Sequence, residues 1–158
     1  MRPLFLQAFA LATLVTASVP VRATELAEPA SLTVLEERVR EFLQAFINPN
    51  QTPEEQARFF AEGAEYYRFG PTSRQAIIAD IKRYTRRWPM RSYRLLNIEY
   101  LKHDPSSDDV FVSYVVEFDV ANSTERVHGQ ASYGAGITNV HSAPQIGMIM
   151  ERIRNRDH

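Results

Sequence analysis

Asp80 and the aromatic side chains around it are the residues of this chain whose types and spacing could do chemistry. The stretch YYRFGPTSRQAIIADIKRYTRRWPMRSYRL, residues 66–95, reads as a short strand, a tight turn, one amphipathic helix and the start of a long strand. At about 100° per residue, Ile77, Ile81, Tyr84 and Trp88 fall on one stripe of that helix, with Asp80 and Arg87 along its border. An apolar wall of Tyr84 and Trp88 would raise the Asp80 pKa. Asp80 could then act as a general base on a small carbonyl compound, with Tyr66 or Tyr67 donating to the developing oxyanion. A competing reading pairs Asp80 with Arg83 or Arg87 one turn on, as a fastener between helix and sheet. An arginine at that spacing lowers a carboxylate pKa and works against a neutral-pH base.

Tyr66, Tyr67, Tyr84, Trp88, Tyr93, Tyr114 and Tyr133 are candidates to line one amphipathic cavity for a flat, apolar or aromatic ligand, with ordinary core packing as the alternative. The small residues Gly129 and Ala131 would leave volume beside them. His103, His141 and His158 have no companion at metal-ligand spacing, so no metal and no other cofactor is expected. The basic run Lys82, Arg83, Arg86, Arg87, Arg91 and Arg94 could attract phosphate. Lys82 and Arg86, however, lie opposite the apolar stripe, which is the usual solvated face. The chain contains no glycine-rich phosphate loop, nucleophile elbow or paired zinc motif.

The elements that must position these residues follow from periodicity and punctuation. A first helix is expected from a Thr33 cap, with Glu36 in the capping-box place and Leu35, Val39, Phe42, Leu43 and Phe46 at helical spacing. A second starts at Thr52, with Pro53 at the first helical position and Glu55 completing the box, and runs through Phe59 and Phe60 to Gly63. A strand over 64–69 precedes the Asp80 helix, which Thr72 or Ser73 caps and Pro89 stops. Three long strands follow. In the first, over 91–102, Tyr93, Leu95 and Leu101 take one side and Leu96, Ile98 and Tyr100 the other. In the second, Val110, Val112, Tyr114, Val116, Phe118 and Val120 alternate cleanly and must face the core. Asn122-Ser123 as a two-residue turn sets a register pairing Asp119 with Arg126, Glu117 with His128 and Tyr114 with Ala131. In that register Glu117 and His128 resemble a catalytic dyad but lie on the outer face as a cross-strand pair. Gly134 and Gly136 mark a bulge or bend, and a last strand covers 145–153.

With 158 residues and 44% hydrophobic content the chain suits one domain with a real core. Residues 1–23 carry Arg2, an uncharged apolar run over 4–19, and Val21 and Ala23 spaced before a cleavage point, the pattern of a secretory signal peptide. Polar breaks and Pro20 make the run too short for a stable membrane anchor. Cleavage after Ala23 would leave 16 Lys plus Arg against 19 Asp plus Glu, a mildly acidic chain unsuited to general nucleic-acid binding. There is no cysteine, hence no disulfide and no thiol nucleophile. The expected organisation is a leader over 1–23, a flexible lead over 24–31, one domain over 32–154 and a tail over 155–158, exported to the periplasm or beyond.

Helix, helix, strand, helix and then several long antiparallel strands is a segregated α+β order. The order, together with YY…G…SR…I..DI…Y..RWP…Y.L, resembles small exported bacterial members of the nuclear transport factor 2-like superfamily. The likeness runs over residues 32–153. It implies a cone, in which a strongly curved, mainly antiparallel sheet wraps three helices around a cavity, and whose outer sheet face often makes a dimer. Its cavity serves steroid isomerases, polyketide cyclases, scytalone dehydratase and limonene epoxide hydrolase, and elsewhere binding or assembly alone. Independently, Phe111, Val115, Leu96 and Ile98 cannot all share the face of the main core row. Three readings follow: a non-catalytic binding module for a small ligand or a protein; an isomerase, dehydratase or cyclase using Asp80 with Tyr66 or Tyr67; and an assembly module of an envelope complex using the outer face.

Overall fold

The structure, a computed structural model, describes residues 29–157, so the expected leader lies outside the described residues. Helix α1 (Pro29–Phe46) is followed by α2 (Pro53–Ala57), β1 (Phe60–Tyr66), a 3₁₀ turn (Tyr67–Phe69) and α3 (Arg74–Arg87). Four long strands complete the chain: β2 (Met90–Asp104), β3 (Asp109–Ala121), β4 (Arg126–Thr138) and β5 (Gln145–Asp157). They form one curved sheet in the order β1-β5-β4-β3-β2, antiparallel except where β1 runs parallel to β5. The α+β class is therefore as the sequence indicates.

Local chemistry explains the short elements. Thr52 accepts from the Glu55 N–H, while the Glu55 carboxylate accepts from the Thr52 N–H at 2.8 Å, so the expected capping box is present. Ser73 caps α3 by accepting from Ala76 N–H, and Arg91 donates to the Trp88 carbonyl at 2.7 Å where the helix ends. Some boundaries differ from expectation. Helix α1 opens at Pro29, so Thr33 lies within it and residues 29–31 are helix rather than flexible lead. Helix α2 stops at Ala57, because Phe60 and Ala64 bury into the β1 side of the core and Gly63 takes φ 70° inside the strand. The strand expected over 64–69 is therefore Phe60–Tyr66. At the other end, pairing of β5 with β4 continues to Asp157 opposite His128, which replaces most of the expected tail.

The core lies between α1 and the inner face of the sheet. Leu35, Val39 and Leu43 pack on Val110, Val112, Tyr114, Val116, Ala135 and Ile137. On β2 the simple alternation fails. Extra residues between Leu95 and Asn97 and between Ile98 and Tyr100 break the register twice. The inward set becomes Tyr93, Leu95, Ile98 and Leu101, and Ile98 changes face from the expected one. Such bulges bend a strand and raise its twist, which suits a sheet that must curl. Shifts between Gln130 and Ala131 and between Gly136 and Ile137 do the same on the β4 to β5 side.

The β3 to β4 register is two residues away from the expected one. Residues 122–125 make a four-residue loop, closed by Asn122 N–H to the Glu125 carbonyl at 2.9 Å and by Asn122 Oδ1 accepting from the N–H groups of Thr124 and Glu125. Val116 then faces Ala131, and Glu117 faces Gln130 instead of His128. A shift of two keeps every side chain on its face. Asp119 still reaches Arg126 as a diagonal ion pair at 2.5 Å, whereas Glu117 pairs with Arg94 at 2.8 Å.

Candidate functional site

Between α1, α3 and the inner sheet face opens a cavity of about 890 Å³. Six of the seven expected aromatics line it: Tyr66, Tyr67, Tyr84, Tyr93, Tyr114 and Tyr133. Trp88 does not. It is 5% exposed, packed with Val120 and Val127 in a separate cluster, with the Arg87 guanidinium 4.9 Å from its ring centre. It caps the end of α3, where the extended backbone turns its side chain off the helical stripe. Phe46, Ile47, Ile81, Val116 and Ile153 supply the apolar part of the wall.

Each tyrosine is set by a different element. Tyr66 ends β1 and donates its hydroxyl to Asp80 Oδ2 at 3.1 Å. Tyr67 follows in the 3₁₀ turn at φ 51°, a left-handed conformation that costs energy for a bulky side chain. Its ring meets the Tyr66 ring edge-on at 4.6 Å. Tyr84 is 42% exposed at the mouth, where the Tyr93 hydroxyl donates to its hydroxyl at 3.1 Å. Deeper in, Tyr114 and Tyr133 face each other across β3 and β4 with rings stacked 5.3 Å apart.

Electrostatics separate these hydroxyls. Burial pushes the pKa values of Tyr66, Tyr67, Tyr93, Tyr114 and Tyr133 above the usual range, and nearby Asp80 adds to the effect at Tyr66. All five are neutral donors at any ordinary pH. Tyr133 donates to Glu151 Oε1 at 2.5 Å. Tyr114, with no exposed surface, has a hydroxyl without a hydrogen-bond partner. A buried hydroxyl left unmatched is costly and is rare in a folded chain.

Asp80 faces the cavity, but both of its oxygens are engaged. Oδ2 accepts from Tyr66, and Oδ1 forms an ion pair with Arg83. Of the two arginines expected as partners, Arg87 lies 3.9 Å from Glu125 instead.

Sequence reasoning missed one charged group at the cavity, Glu151, and gave another, Arg91, only a place in the basic run. Glu151 reaches it from β5, opposite Tyr133. A lone acid between Ile149 and Ile153 on an inward-facing row was the signal that could have found it. Arg91 donates to the carbonyls of Trp88, Thr85 and Pro49, tying α3 to the loop after α1. Glu117 and His128 lie on the outer face, away from the cavity. The expectation that no histidine has a companion at ligand spacing fails for His103 and His141, which the fold brings together with Asp108. The reason is tertiary, since they come from the ends of different hairpins. His158 lies outside the described residues.

No family model matches this sequence, and no curated protein matches it. Solved structures do. A protein from Novosphingobium aromaticivorans named, provisionally, scytalone dehydratase superposes with a TM-score of 0.65 at 17% identity, over 81% of this chain and 87% of its own. ActVI-ORFA from Streptomyces coelicolor gives 0.62 at 12% identity, over 76% and 98%. A domain of unknown function with a cystatin-like fold from Nostoc punctiforme gives 0.56 at 14%, over 80% and 79%.

Proposed function

From a chain that has the cystatin-like cone fold of the nuclear transport factor 2-like superfamily, we propose that the cavity is a binding site for a small, flat, largely apolar molecule bearing a carbonyl or similar oxygen. The observation that carries this reading is a cavity of about 890 Å³ walled by six tyrosines, with the half-buried Tyr67 among them. Tyr67, kept neutral by burial, would donate to a ligand oxygen, and the surrounding rings would offer a planar surface. The carboxylates argue for binding over turnover. Asp80 and Glu151 are each already held by a tyrosine, and Asp80 by an arginine as well.

The test is equilibrium binding of a panel of bicyclic and tricyclic aromatic ketones, read by quenching of intrinsic fluorescence. Saturable binding is expected, and Tyr67→Phe should weaken it about three- to tenfold, the worth of one neutral hydrogen bond. The reading is lost if no member of the panel saturates, or if Tyr67→Phe binds as tightly as the parent.

A second reading has a specific observation in its favour, the hydrogen bond between Tyr66 and Asp80 at the cavity wall. It makes the protein an isomerase, dehydratase or cyclase in which Asp80 takes a proton and Tyr66 or Tyr67 steadies the oxyanion. The likeness to a protein provisionally named as a dehydratase is in keeping with it. Loss of turnover with retained ligand binding in Asp80→Asn would separate this reading from the first.

We also propose that the protein works after export, and that its outer sheet face joins a second copy of the chain. Tyr100 and Phe111, 52% and 38% exposed, stand there with ring centres 6.2 Å apart beside Gly134. The pairs Arg94 with Glu117 and Arg154 with Glu99 supply both charge signs across that face. Such a mixture lets a two-fold copy meet itself without like charges opposed.

A further inference from the structure

A second cluster lies at the hairpin ends, outside the cavity. His103 faces Val110 near the end of β2, Asp108 precedes β3, and His141 sits in the loop between β4 and β5. Asp108 Oδ1 is 2.5 Å from His141 Nδ1 and 3.8 Å from His103 Nε2. All three ligand atoms lie within 4.8 Å of one another. Backbone contacts fix the arrangement. Asp108 Oδ2 accepts from the His141 N–H at 3.2 Å, and the Asp108 carbonyl accepts from the Val140 N–H at 3.0 Å. Arg38 of α1 donates to the His141 carbonyl at 3.3 Å and holds the loop from the other side.

A further observation points to a ligand. His103 Nε2 is buried and has no hydrogen-bond partner, although it faces Asp108. Asp108 holds φ 58°, a left-handed conformation that aspartate adopts readily.

We propose that His103 Nε2, Asp108 Oδ1 and His141 Nδ1 form a binding site for a transition-metal dication of the zinc class. Two imidazoles and one carboxylate suit such ions and are poor partners for magnesium or calcium, which prefer all-oxygen shells. Bonds of about 2.0–2.1 Å at tetrahedral angles place donor atoms roughly 3.3 Å apart. His141 and Asp108 must therefore part slightly and His103 draw in. All three ligands bind a metal in deprotonated form, so metal entry is favoured as the pH rises. Asp104 and Asp109, paired across the same hairpin end, add negative charge. Three protein ligands leave a fourth position, which faces solvent on the side of the exposed His141. None of the three lines the cavity, so the site stands independently of the ligand proposed for it.

The full chain, stripped with a chelator, is titrated with cobalt and then with zinc. A single saturable site with the visible absorption of low-symmetry cobalt is expected, displaced by zinc and not by magnesium or calcium. Zinc should also raise the melting temperature. His103→Gln and Asp108→Asn should each weaken cobalt binding by about tenfold or more, at least the loss seen when a ligand's outer partner is removed. Asparagine tolerates the left-handed conformation at 108, so that variant keeps its fold, which circular dichroism checks. His128→Gln, distant from the cluster, should bind as the parent does. No saturable cobalt binding, or binding unchanged in Asp108→Asn, overturns the proposal and leaves a cluster that only ties the two hairpin ends together.

Discussion

At the residue scale, Asp80 and the tyrosines carry opposite lessons. Asp80 has the type and the neighbours of a general base, yet the arginine one turn on claims one of its oxygens and Tyr66 the other. Asp80→Asn should lower stability by about 1–2 kcal/mol, since it weakens a charge-assisted hydrogen bond and a partly exposed ion pair. A thermal melt of the variant, with ketone binding measured beside it, checks this. Unchanged ligand retention with a lower melting temperature assigns Asp80 a structural role. The tyrosines give a pH prediction. Their folded pKa values lie above the ordinary value of 10.0, so the neutral forms favour the native state. Stability from this source is complete below that pH and falls as the pH rises beyond it. Ultraviolet titration should show most of the seven tyrosines ionising only as the fold is lost. Smooth titration of all seven in a native chain would contradict the burial described here.

Elements were legible where their signals are local. The Thr52 and Glu55 box, the Ser73 cap and the stop at Pro89 each involve residues within a few positions of one another, and all are present. Thr52→Ala should cost about 1 kcal/mol, read as a lower midpoint in urea. The Glu55 carboxyl is held below its usual range by the Thr52 N–H, so the cap's contribution is present at neutral pH and fades as acid protonates it. Elements failed where a distant partner decides. Nothing within residues 91–102 announces that Leu96 and Glu99 are the extra residues of two bulges, because that is settled by what β3 presents across the ladder. Because Leu96 is an extra residue, deleting it leaves Leu101 opposite Val112 on the inner face, and the variant should fold with one bulge fewer and a lower melting temperature. Deleting Leu96 and Glu99 together should flatten the strand further and weaken ketone binding, since the bends that help the sheet curl around the cavity are lost.

At the scale of the whole molecule the cavity and the outer face lie on opposite sides of one sheet. The helices cover one face of the sheet and leave an opening beside α3, while Tyr100 and Phe111 remain on the other. Among the described residues no helix is long and apolar enough to cross a membrane. If the outer face joins two copies, sedimentation velocity should show a dimer at micromolar concentration, and Phe111→Lys should shift it to monomer without lowering ketone binding. A chain that sediments as a monomer throughout would remove the dimer and leave the cavity reading intact.

The sequence alone determined the α+β class, the inward row from Val110 to Val120 and the aromatic character of the cavity, because each rests on periodicity or on residue type. Tertiary structure decided the rest. Whether Trp88 faces the cavity depends on how a helix ends against a sheet, and whether Glu151 joins Tyr133 depends on the register of two strands. His103, Asp108 and His141 meet because separate hairpins end side by side, a proximity that no spacing along the chain encodes.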